Sequence, residues 1–425
     1  MLDIKFIREN KEAVKKNCQL RNIKCDIDRL LELDKKRRKL IGEIGDIREE
    51  RNKLTHEFKD QIKLSESLEV SVKRGKNFKE KLEKLNLDFE KIEKEYKDLL
   101  IKVPNMSHPD APVGRDDSEN KEIERYGEPP KFNFEPKGHE ELMTALDLID
   151  FERGAKVAGA KFYFLKNEAV FLEQALVNYT LKTCLQENFM PFITPDLAKD
   201  EVLFGVGFNP RGEETQIYSI ENTDLNLVAT AEVTMGGYHM NETIPEEKLP
   251  LKYVALSHCF RTEAGSYGRH SAGLFRVHQF TKVEMFAYTL PEKSEEMHTY
   301  FKDIEIKIFK GLGIPFRVVD ICTGDLGGPA YRKYDLEAWM TSRNGWGEVT
   351  STSDTTDYQA RRLNIKVKRA DGRKEFLHML NGTAIAVSRA LIAIVENYQQ
   401  ADGSVVVPEV LRRWMPENLE IIKRK

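Results

Sequence analysis

Two runs of largely apolar residues with heptad spacing, separated by a short break, constrain the fold of this chain more than any other feature. Within each run the residues recur at alternating intervals of four and three, which is typical of helices that pack along a common seam. The first run comprises Leu33, Arg37, Leu40, Ile44, Ile47, Arg51, Leu54 and Phe58, and the second comprises Phe78, Leu82, Leu85, Phe89, Ile92, Tyr96 and Leu99. The break at residues 64–75 contains three serines and a glycine and is predicted to be a turn. Two seams joined by so short a link are expected to fold back as an antiparallel coiled-coil hairpin.

The predicted hairpin packs too little of its surface on the rest of the chain to be an ordinary core element, so we expect it to reach a partner. Each arm would extend roughly 50 Å if about 35 residues are helical. Residues 1–100 carry 27 Lys and Arg against 22 Asp and Glu. A basic cluster follows the predicted turn and consists of Lys73, Arg74, Lys76, Lys79 and Lys81. These charges favour a phosphate backbone as the partner, although an oligomerisation or spacer coil remains an alternative.

The rest of the chain is predicted to be a linker followed by a mixed body. Residues 106–135 are rich in proline, glycine and aspartate, as linkers are. Beyond them, an amphipathic helical pattern at residues 169–185 is followed by β-rich runs at 253–260 and 275–288. This mixture predicts an α+β body with a large antiparallel sheet. The predicted division is therefore a helical arm at 1–105, a linker at 106–135 and a body at 136–425.

Composition excludes some classes of protein. The chain has no apolar run long enough to span a bilayer, and its first residues are charged throughout, unlike a signal peptide. Its five cysteines lack metal-binding spacing and are expected to be reduced thiols of a cytoplasmic protein. The net charge of −3 by itself says nothing about nucleic acid.

The segment that carries the most chemistry is a predicted hairpin with FRTE at residues 260–263 and RVHQFTKVE at residues 276–284. Since strand side chains alternate between faces, the polar and aromatic side chains of the second strand share one face. That face holds Arg276, His278, Phe280, Lys282 and Glu284, whereas Val277, Val283 and Met285 point the other way. Fixed cations, a ring for stacking and carboxylates suit phosphate transfer. A salt-bridged strand face without function is the alternative.

A third arginine, outside this hairpin, supports the same chemistry. Residues 383–395 are nearly all small or apolar, as in a buried helix, yet they include Arg389. A buried guanidinium without a partner is costly and therefore requires an anion. A protein carboxylate and a bound phosphate are both candidates.

The FRTE and RVHQFTKVE segments together resemble motif 2 of the seryl-tRNA synthetases, a family of class II aminoacyl-tRNA synthetases. Other segments resemble that family in the same order along nearly the whole chain: FERGAKV at 151–157, FYFL at 162–165, Pro195 in PFITPDL, TAE at 230–232, and LNGTA at 380–384 continuing to Arg389. The hairpin resembles the tRNA-binding arm of the family. The resemblance implies a class II antiparallel sheet flanked by helices, a homodimer, and a cytoplasmic serine–tRNA ligase. Its substrates would be ATP, L-serine and tRNA(Ser), with tRNA(Sec) as a further acceptor.

The resemblance also implies roles for individual residues. Arg261 and Arg389 would be catalytic, and the ATP site would comprise Arg261, Thr262, Glu263, Arg276, Phe280, Val283, Glu348, Val349, Thr350, Ser351 and Arg389. The serine site would comprise Thr230, Ala231, Glu232, Arg261, Glu284, Asn381 and Thr383. Glu348 and Ser351 would ligate Mg²⁺. A non-enzymatic RNA-binding relative and a class II ligase for another amino acid are the competing interpretations.

Three segments depart from the pattern of the family. Residues 351–354 read STSD where the family usually has Ser-Cys-Ser-Asn, so Asp354 is expected to add a charge near the serine pocket. His270, Ser271 and Ala272 replace the usual Asp-x-Arg of the motif 2 loop, and GGP at 327–329 replaces a turn that usually carries phenylalanine.

Overall fold

The computed structural model describes residues 1–61, 68–209, 216–264 and 273–424, with the side chains of 55–61 and 68–72 left out. The chain forms two compact units, Met1–Met106 and Ser107–Lys425. None of the described helices is both long enough and apolar enough to cross a membrane.

The smaller unit is helical. It consists of α1 (Ile4–Glu9), α2 (Lys11–Leu20), α3 (Ile27–Gln61) and α4 (Leu68–Leu100). Its core joins the two short helices to the adjoining ends of the long ones through Ile7, Val14, Leu30, Tyr96 and Leu100. Burial of these apolar side chains is what holds the base of the long helices together.

The long helices α3 and α4 are antiparallel, as the heptad spacing predicts. Arg29 near the start of α3 lies 2.8 Å from the carboxylate of Glu95 near the end of α4. Every described side chain of the predicted seam is at least partly buried except Arg51, which extends into solvent. The guanidinium of Arg37 lies 5.1 Å over the ring of Tyr96, so it remains on the seam without being fully buried. Phe58 lies outside the described side chains.

The second half of the predicted turn is helical instead. Helix α4 begins at Leu68, so Ser71 and Gly75 are helical, and residues 64–67 of the predicted turn lie outside the described residues. A glycine within a helix costs about 1 kcal/mol relative to alanine, which packing of α4 against α3 can offset. Tertiary packing therefore overrides the local turn signal.

The larger unit contains the remaining elements. Its helices are α5 (His139–Ala145), α6 (Phe151–Ala158), α7 (Glu168–Gln186), α8 (Asp200–Val206), α9 (Ala231–Gly237), α10 (Ser294–Leu312), α11 (Tyr358–Leu363), α12 (Val387–Asn397) and α13 (Glu409–Arg412). Its strands are β1 (Lys121–Tyr126), β2 (Ile149–Asp150), β3 (Phe164–Leu165), β4 (Met190–Ile193), β5 (Leu197–Lys199), β6 (Leu225–Leu227), β7 (Thr243–Pro245), β8 (Leu251–Phe260), β9 (Gln279–Thr289), β10 (Phe316–Asp320), β11 (Arg332–Met340), β12 (Gly345–Asp354), β13 (Lys366–Lys368), β14 (Lys374–Phe376), β15 (His378–Ala386), β16 (Val405–Val406) and β17 (Ile421–Ile422).

Eight of the described strands form one large sheet in the order β1-β10-β11-β12-β15-β9-β8-β4. Neighbouring strands are antiparallel except β4 and β8, which are parallel. The predicted class of fold, an antiparallel sheet flanked by helices together with an N-terminal helical arm, is confirmed. The adjacent strands β12, β15, β9 and β8 are all internal strands of this sheet, so each is hydrogen-bonded to a neighbour on both sides.

The two faces of the sheet are covered differently. Helices α7, α10 and α12 cover one face with a large apolar core that includes Val283 and Met285 of β9. Helices α8, α9 and α11 pack on the other face against Phe286 and Tyr288. Because side chains alternate along a strand, Phe280, Lys282 and Glu284 also point to this second face.

The structure differs from the prediction for residues 106–135. Residues 121–126 form β1, which pairs with β10 at the edge of the sheet, and Tyr126 packs on Phe316 with 4.8 Å between the ring centroids. The proline, glycine and aspartate residues around this strand made the whole segment resemble a linker. Its edge position explains the weak pattern, because only alternate side chains of β1 are partly buried.

Candidate active site

The ends of β8 and β9 place two predicted site segments side by side. The strand β8 ends at Phe260 and β9 begins at Gln279, so Arg261–Glu263 and Arg276 lie just beyond the ladder rather than within it. The backbone N–H of Arg261 still donates to the carbonyl of His278 at 3.0 Å, which keeps the segments in register. The predicted loop residues His270, Ser271 and Ala272 lie outside the described residues.

An arginine cleft, with a volume of about 40 Å³, opens beside these strand ends. Its lining includes Arg261, Glu263, Phe275, Arg276, Phe280, Lys282, Glu348 and Arg389. The guanidinium of Arg261 lies 5.3 Å from the centroid of the Phe280 ring. Arg276 Nη1 lies 3.2 Å from the carboxylate of Glu263. The three predicted arginines therefore do converge on one cleft.

Two of these three arginines already have a protein carboxylate as partner. Arg276 pairs with Glu263, and Arg389 Nη1 lies 3.1 Å from Glu348 Oε1. Arg261 has no carboxylate within 4.0 Å among the described residues. A guanidinium carries five N–H donors, and each of these pairs engages a single nitrogen. Both paired arginines consequently keep donors for a further anion in the cleft.

Glu348 is the acidic residue of the cleft. Desolvation by itself would raise the pKa of Glu348, but Arg389, Lys333 and Arg261 outweigh it and lower the pKa to about 2. The carboxylate is therefore ionised at every physiological pH. Ser351, on the same strand β12, lines the adjoining pocket together with Glu348. Both are oxygen donors.

A second cavity, the carboxylate pocket, has a volume of about 420 Å³. It is lined by Thr230, Glu232, Arg261, Lys282, Glu284, Lys333, Glu348, Ser351, Asn381 and Thr383, among others. It shares Arg261, Lys282, Glu348 and Thr383 with the arginine cleft. The two cavities are therefore adjacent parts of one site, with Arg276 and Arg389 in one part and Glu232 and Glu284 in the other.

Glu284 lies at the floor of the carboxylate pocket. Its Oε2 atom lies 2.6 Å from Lys282 Nζ and accepts a hydrogen bond from the Thr383 hydroxyl at 3.2 Å. Both Lys282 and Glu284 are more than nine-tenths buried, so the pair is strongly held. Lys282 was not predicted as a site residue, although its position between Phe280 and Glu284 on one strand face was a usable signal.

Glu232, which also lines the carboxylate pocket, has a different electrostatic environment. Burial raises its pKa, and the nearby Glu284 raises it further, to about 7. A hydrogen bond from Gln359 and the charges of Lys282 and Arg261 act in the other direction. The local fold positions Glu232 through Thr230, which caps α9 and accepts a hydrogen bond from the Glu232 backbone N–H at 3.1 Å.

Several predicted site residues do not present their side chains to these cavities. Val283 and Ala231 are fully buried in apolar cores, and Thr262 lines neither cavity. Val349 and Thr350 line the cleft, but the Thr350 hydroxyl donates to Glu305 behind the sheet at 2.9 Å. In β9, strand alternation accounts for Val283, whose neighbours Lys282 and Glu284 line the pocket. In β12, a bulge places Val349 and Thr350 between the pocket residues Glu348 and Ser351.

The expectation for Asp354 is wrong. Its carboxylate accepts a hydrogen bond from the backbone N–H of Thr356 and lies beside Ser294 at the start of α10, behind the sheet. Burial raises the pKa of Asp354 to about 6. The alternate residues Ser353 and Thr355 face the carboxylate pocket instead. By contrast, the GGP segment at 327–329 does reach the pocket, since Gly327 and Pro329 line it.

Further side chains of the site were missed from the sequence. Phe275 lies under two guanidiniums, with Arg389 at 4.8 Å and Arg343 at 4.4 Å from its ring centroid. Lys333 lies 3.2 Å from Asp335 and lines the carboxylate pocket. Burial acts to lower the pKa of Lys333, but Asp335 and Glu348 raise it overall. These residues lie far apart in sequence, so only folding reveals them.

Comparison with known proteins gives a consistent result. Residues 1–107 match the family model described as the seryl-tRNA synthetase N-terminal domain, and residues 216–398 match the class II tRNA synthetase core domain (G, H, P, S and T). A serine–tRNA ligase from Treponema denticola is 57% identical over 97% of this chain and 98% of its own length. The chain belongs to the seryl-tRNA synthetase family. Membership in the family makes it an ATP-dependent aminoacyl-tRNA ligase.

Other relatives of the family agree in sequence and in structure. A serine–tRNA ligase from Dictyoglomus turgidum is 55% identical over 98% of both chains. The crystal structure of seryl-tRNA synthetase from Pyrococcus horikoshii complexed with ATP superposes with a TM-score of 0.90 at 38% identity, with 100% of both chains covered.

Proposed function

We propose that this chain activates L-serine with ATP to form seryl-adenylate and then transfers the seryl group to the terminal ribose of tRNA(Ser). One observation carries the most weight: the arginine cleft and the carboxylate pocket share Arg261, Lys282, Glu348 and Thr383. A triphosphate and a small amine bound at the two ends would meet at Arg261. That is the arrangement that attack of a carboxylate on a phosphorus atom requires.

The nucleotide would occupy the arginine cleft. Arg261 is the best candidate for holding the α-phosphate, because it lines both cavities, and Arg276 and Arg389 would hold the outer phosphates. Phe280 would stack on adenine and Glu263 would contact the nucleotide. Guanidiniums fixed by neighbouring protein groups stabilise charge that develops on phosphate oxygens without reorganising.

The residues near Glu348 fit a magnesium ion. Mg²⁺ in nucleotide sites is usually held by one or two carboxylates together with substrate phosphates, and Glu348 and Ser351 supply a carboxylate and a hydroxyl at the same cavity. When bound, the ion would neutralise phosphate charge. The low pKa of Glu348 keeps its carboxylate available as a ligand.

Serine would occupy the carboxylate pocket. Glu232 and Glu284 are suited to its ammonium group, and Thr230, Asn381 and Thr383 add polar groups. Thr383 is placed to bond the hydroxyl of serine. A pocket that hydrogen-bonds a hydroxyl rejects an analogue without one, because its buried polar groups would then lack partners.

The first step needs no general base, because the serine carboxylate is already ionised. A carboxylate oxygen bonds to the α-phosphorus, the bond from that phosphorus to the bridging oxygen breaks, and pyrophosphate leaves with the electron pair. In the second step a ribose hydroxyl of tRNA attacks the activated carbonyl, the bond from that carbon to the phosphate oxygen breaks, and AMP leaves with the electron pair and the hydroxyl proton. Positioning and fixed charge account for catalysis.

Each of the two units suggests a macromolecular binding partner. The exposed basic cluster on α4 supports binding of tRNA(Ser) by the N-terminal arm through its backbone and shape. The proposal extends to tRNA(Sec), which members of the family commonly charge, and to a cytoplasmic location. A homodimer is supported by exposed apolar side chains on α7 and β4, namely Val170, Phe171, Leu185, Met190 and Ile193, with Pro195 two residues beyond β4.

Serine-dependent exchange of pyrophosphate into ATP tests this proposal against its rivals. We expect exchange with serine, and a loss of about 100- to 1,000-fold in Arg261→Ala, as for removal of one donor to a developing oxyanion. Arg373→Ala is the control, since Arg373 is exposed, pairs with Asp371 and lines neither cavity. No exchange with any amino acid would favour an RNA-binding protein, and exchange with a different amino acid would favour another class II ligase.

A further inference from the structure

A buried glutamine behind the carboxylate pocket connects three separate segments of its wall. Gln359, on α11, is fully buried. Its Nε2 atom donates to Glu232 Oε1 at 2.8 Å and to the carbonyl of Val206 at 2.9 Å, and its Oε1 atom accepts from the Thr355 hydroxyl at 3.2 Å. One side chain thus joins α9, the end of α8 and the connection that follows β12.

We infer that Gln359 is a positioning residue for serine: it fixes the rotamer of Glu232, favours the ionised form of that carboxyl group, and turns its second oxygen toward the amino acid. This inference rests on the proposed role of Glu232 as a ligand of the serine ammonium group. Gln359 itself lines neither described cavity, so it acts through Glu232 rather than on the substrate.

The hydrogen bonds at Glu232 carry this assignment. Oε1 accepts from both Gln359 and Asn381, the latter at 3.1 Å. Oε2 has no hydrogen bond to any residue in the described part of the chain. Two amide donors on one oxygen fix the plane of the carboxylate, so the other oxygen is the one that faces a cation in the pocket.

The charges around Glu232 explain why such a donor is needed. Burial and the neighbouring Glu284 both favour the neutral acid, whereas a neutral acid binds an ammonium group weakly. Lys282 and Arg261 favour the ionised form through their charge, whereas Gln359 and Asn381 donate hydrogen bonds to the carboxylate. A neutral donor adds stability to the anion without placing a competing cation at the serine subsite.

Gln359→Met tests the inference, because methionine has a similar shape and no amide. Pyrophosphate exchange is measured over serine concentration and pH. We expect the KM for serine to rise about tenfold at pH 7, the KM for ATP to change less than twofold, and the pH midpoint of kcat/KM for serine to move upward. Gln359→Glu is expected to change the KM for serine and the pH midpoint in the same direction, since a second carboxylate would face Glu232.

Gln399→Met provides the matched control. Gln399 is also buried, and its amide donates to the carbonyls of Lys137 and Glu396 outside both cavities. We expect a comparable loss of thermal stability but no shift of the serine pH midpoint. Equal serine kinetics in the two methionine variants would overturn the inference. Unchanged serine KM in Glu232→Gln would instead overturn the proposed serine site, which separates the two failures.

Discussion

Arg389 and Glu348 form a closed pair at the junction of the two cavities: Arg389 Nη1 lies 3.1 Å from Glu348 Oε1 and donates to the backbone carbonyl of Glu348 at 3.0 Å. The pair joins the helix α12 to the strand β12. In this arrangement the proposed ligand of Mg²⁺ and a proposed phosphate ligand hold each other in place. A triphosphate with its metal ion would place an anion next to Arg389 and a cation next to Glu348. Each side chain would then exchange its present partner for the bound group.

Glu348→Gln is therefore expected to impair use of the nucleotide. The amide keeps the shape of the side chain but loses the charge for the metal and for Arg389. We expect kcat/KM for ATP in pyrophosphate exchange to fall about 100-fold and the Mg²⁺ concentration for half-maximal rate to rise. Glu337→Gln is a matched control, because Glu337 is also paired with an arginine, Arg317, but lies outside both cavities. Equal Mg²⁺ curves for the two variants would contradict the assignment.

Serine activation is expected to depend on pH near neutrality. The pKa of Glu232 is raised to about 7 by burial and by Glu284, so this carboxyl is largely neutral below pH 7 and ionised above it. We expect kcat/KM for serine to increase as the pH rises through about 7. Pyrophosphate exchange at low serine concentration measures this profile. Glu232→Gln should lose this step, whereas Glu409→Gln, at an exposed site, should keep it; a wild-type profile in Glu232→Gln would contradict the assignment.

Glu305 is expected to make stability depend on pH. It is fully buried behind the sheet, one carboxylate oxygen accepts from Thr350, and the other has no partner among the described residues. Burial raises the pKa of Glu305 well above its ordinary value, and Asp335 and Glu284 raise it further. The folded protein thus keeps a proton that the unfolded chain releases above about pH 4.3. Wild-type stability is consequently lost as the pH rises from that value toward the folded pKa.

Glu305→Gln removes this penalty because an amide does not titrate. We expect its melting temperature to exceed that of the wild type by about 3 °C at pH 8 and by less at pH 5. Differential scanning calorimetry at both values measures the difference, with Glu409→Gln as the exposed control. A difference that is the same at both pH values would show that Glu305 is ionised in the folded protein.

The basic cluster on α4 is expected to contribute to tRNA binding and not to serine activation. Lys73, Arg74 and Lys76 are exposed, and we expect their joint replacement by glutamine to raise the KM for tRNA about tenfold or more and to weaken its salt dependence. Serine-dependent pyrophosphate exchange should be unchanged, because it does not use tRNA. Replacement of the exposed Lys248, Lys374 and Lys423 by glutamine removes the same charge from the larger unit. Equal tRNA kinetics in both triple variants would exclude the arm cluster as a specific tRNA contact.

Local patterns predicted much of the fold. The heptad spacing of Leu33, Ile44 and Leu82 marks the seam of α3 and α4, because a helix shows one face every three to four residues. Alternation in β9 correctly separated Lys282 and Glu284 from Val283, since the period of a strand is two. The edge strand β1 was missed because it has one neighbouring strand and its side chains are at most partly buried. Its sequence therefore shows little alternation between apolar and polar residues.

The convergence of charges was settled by the tertiary structure. No spacing in the sequence indicates that Arg389 faces Glu348 or that Gln359 reaches Glu232. The orientation of Asp354 could not be predicted either. A bulge in β12 near Glu348 shifts the alternation of the strand, so that Ser353 rather than Asp354 faces the pocket. The sequence by itself determined helices, strands and the faces they present, since these depend on near neighbours along the chain. Which charges meet depends on how strands pair across the sheet, and pairing between distant segments arises only when the chain is folded.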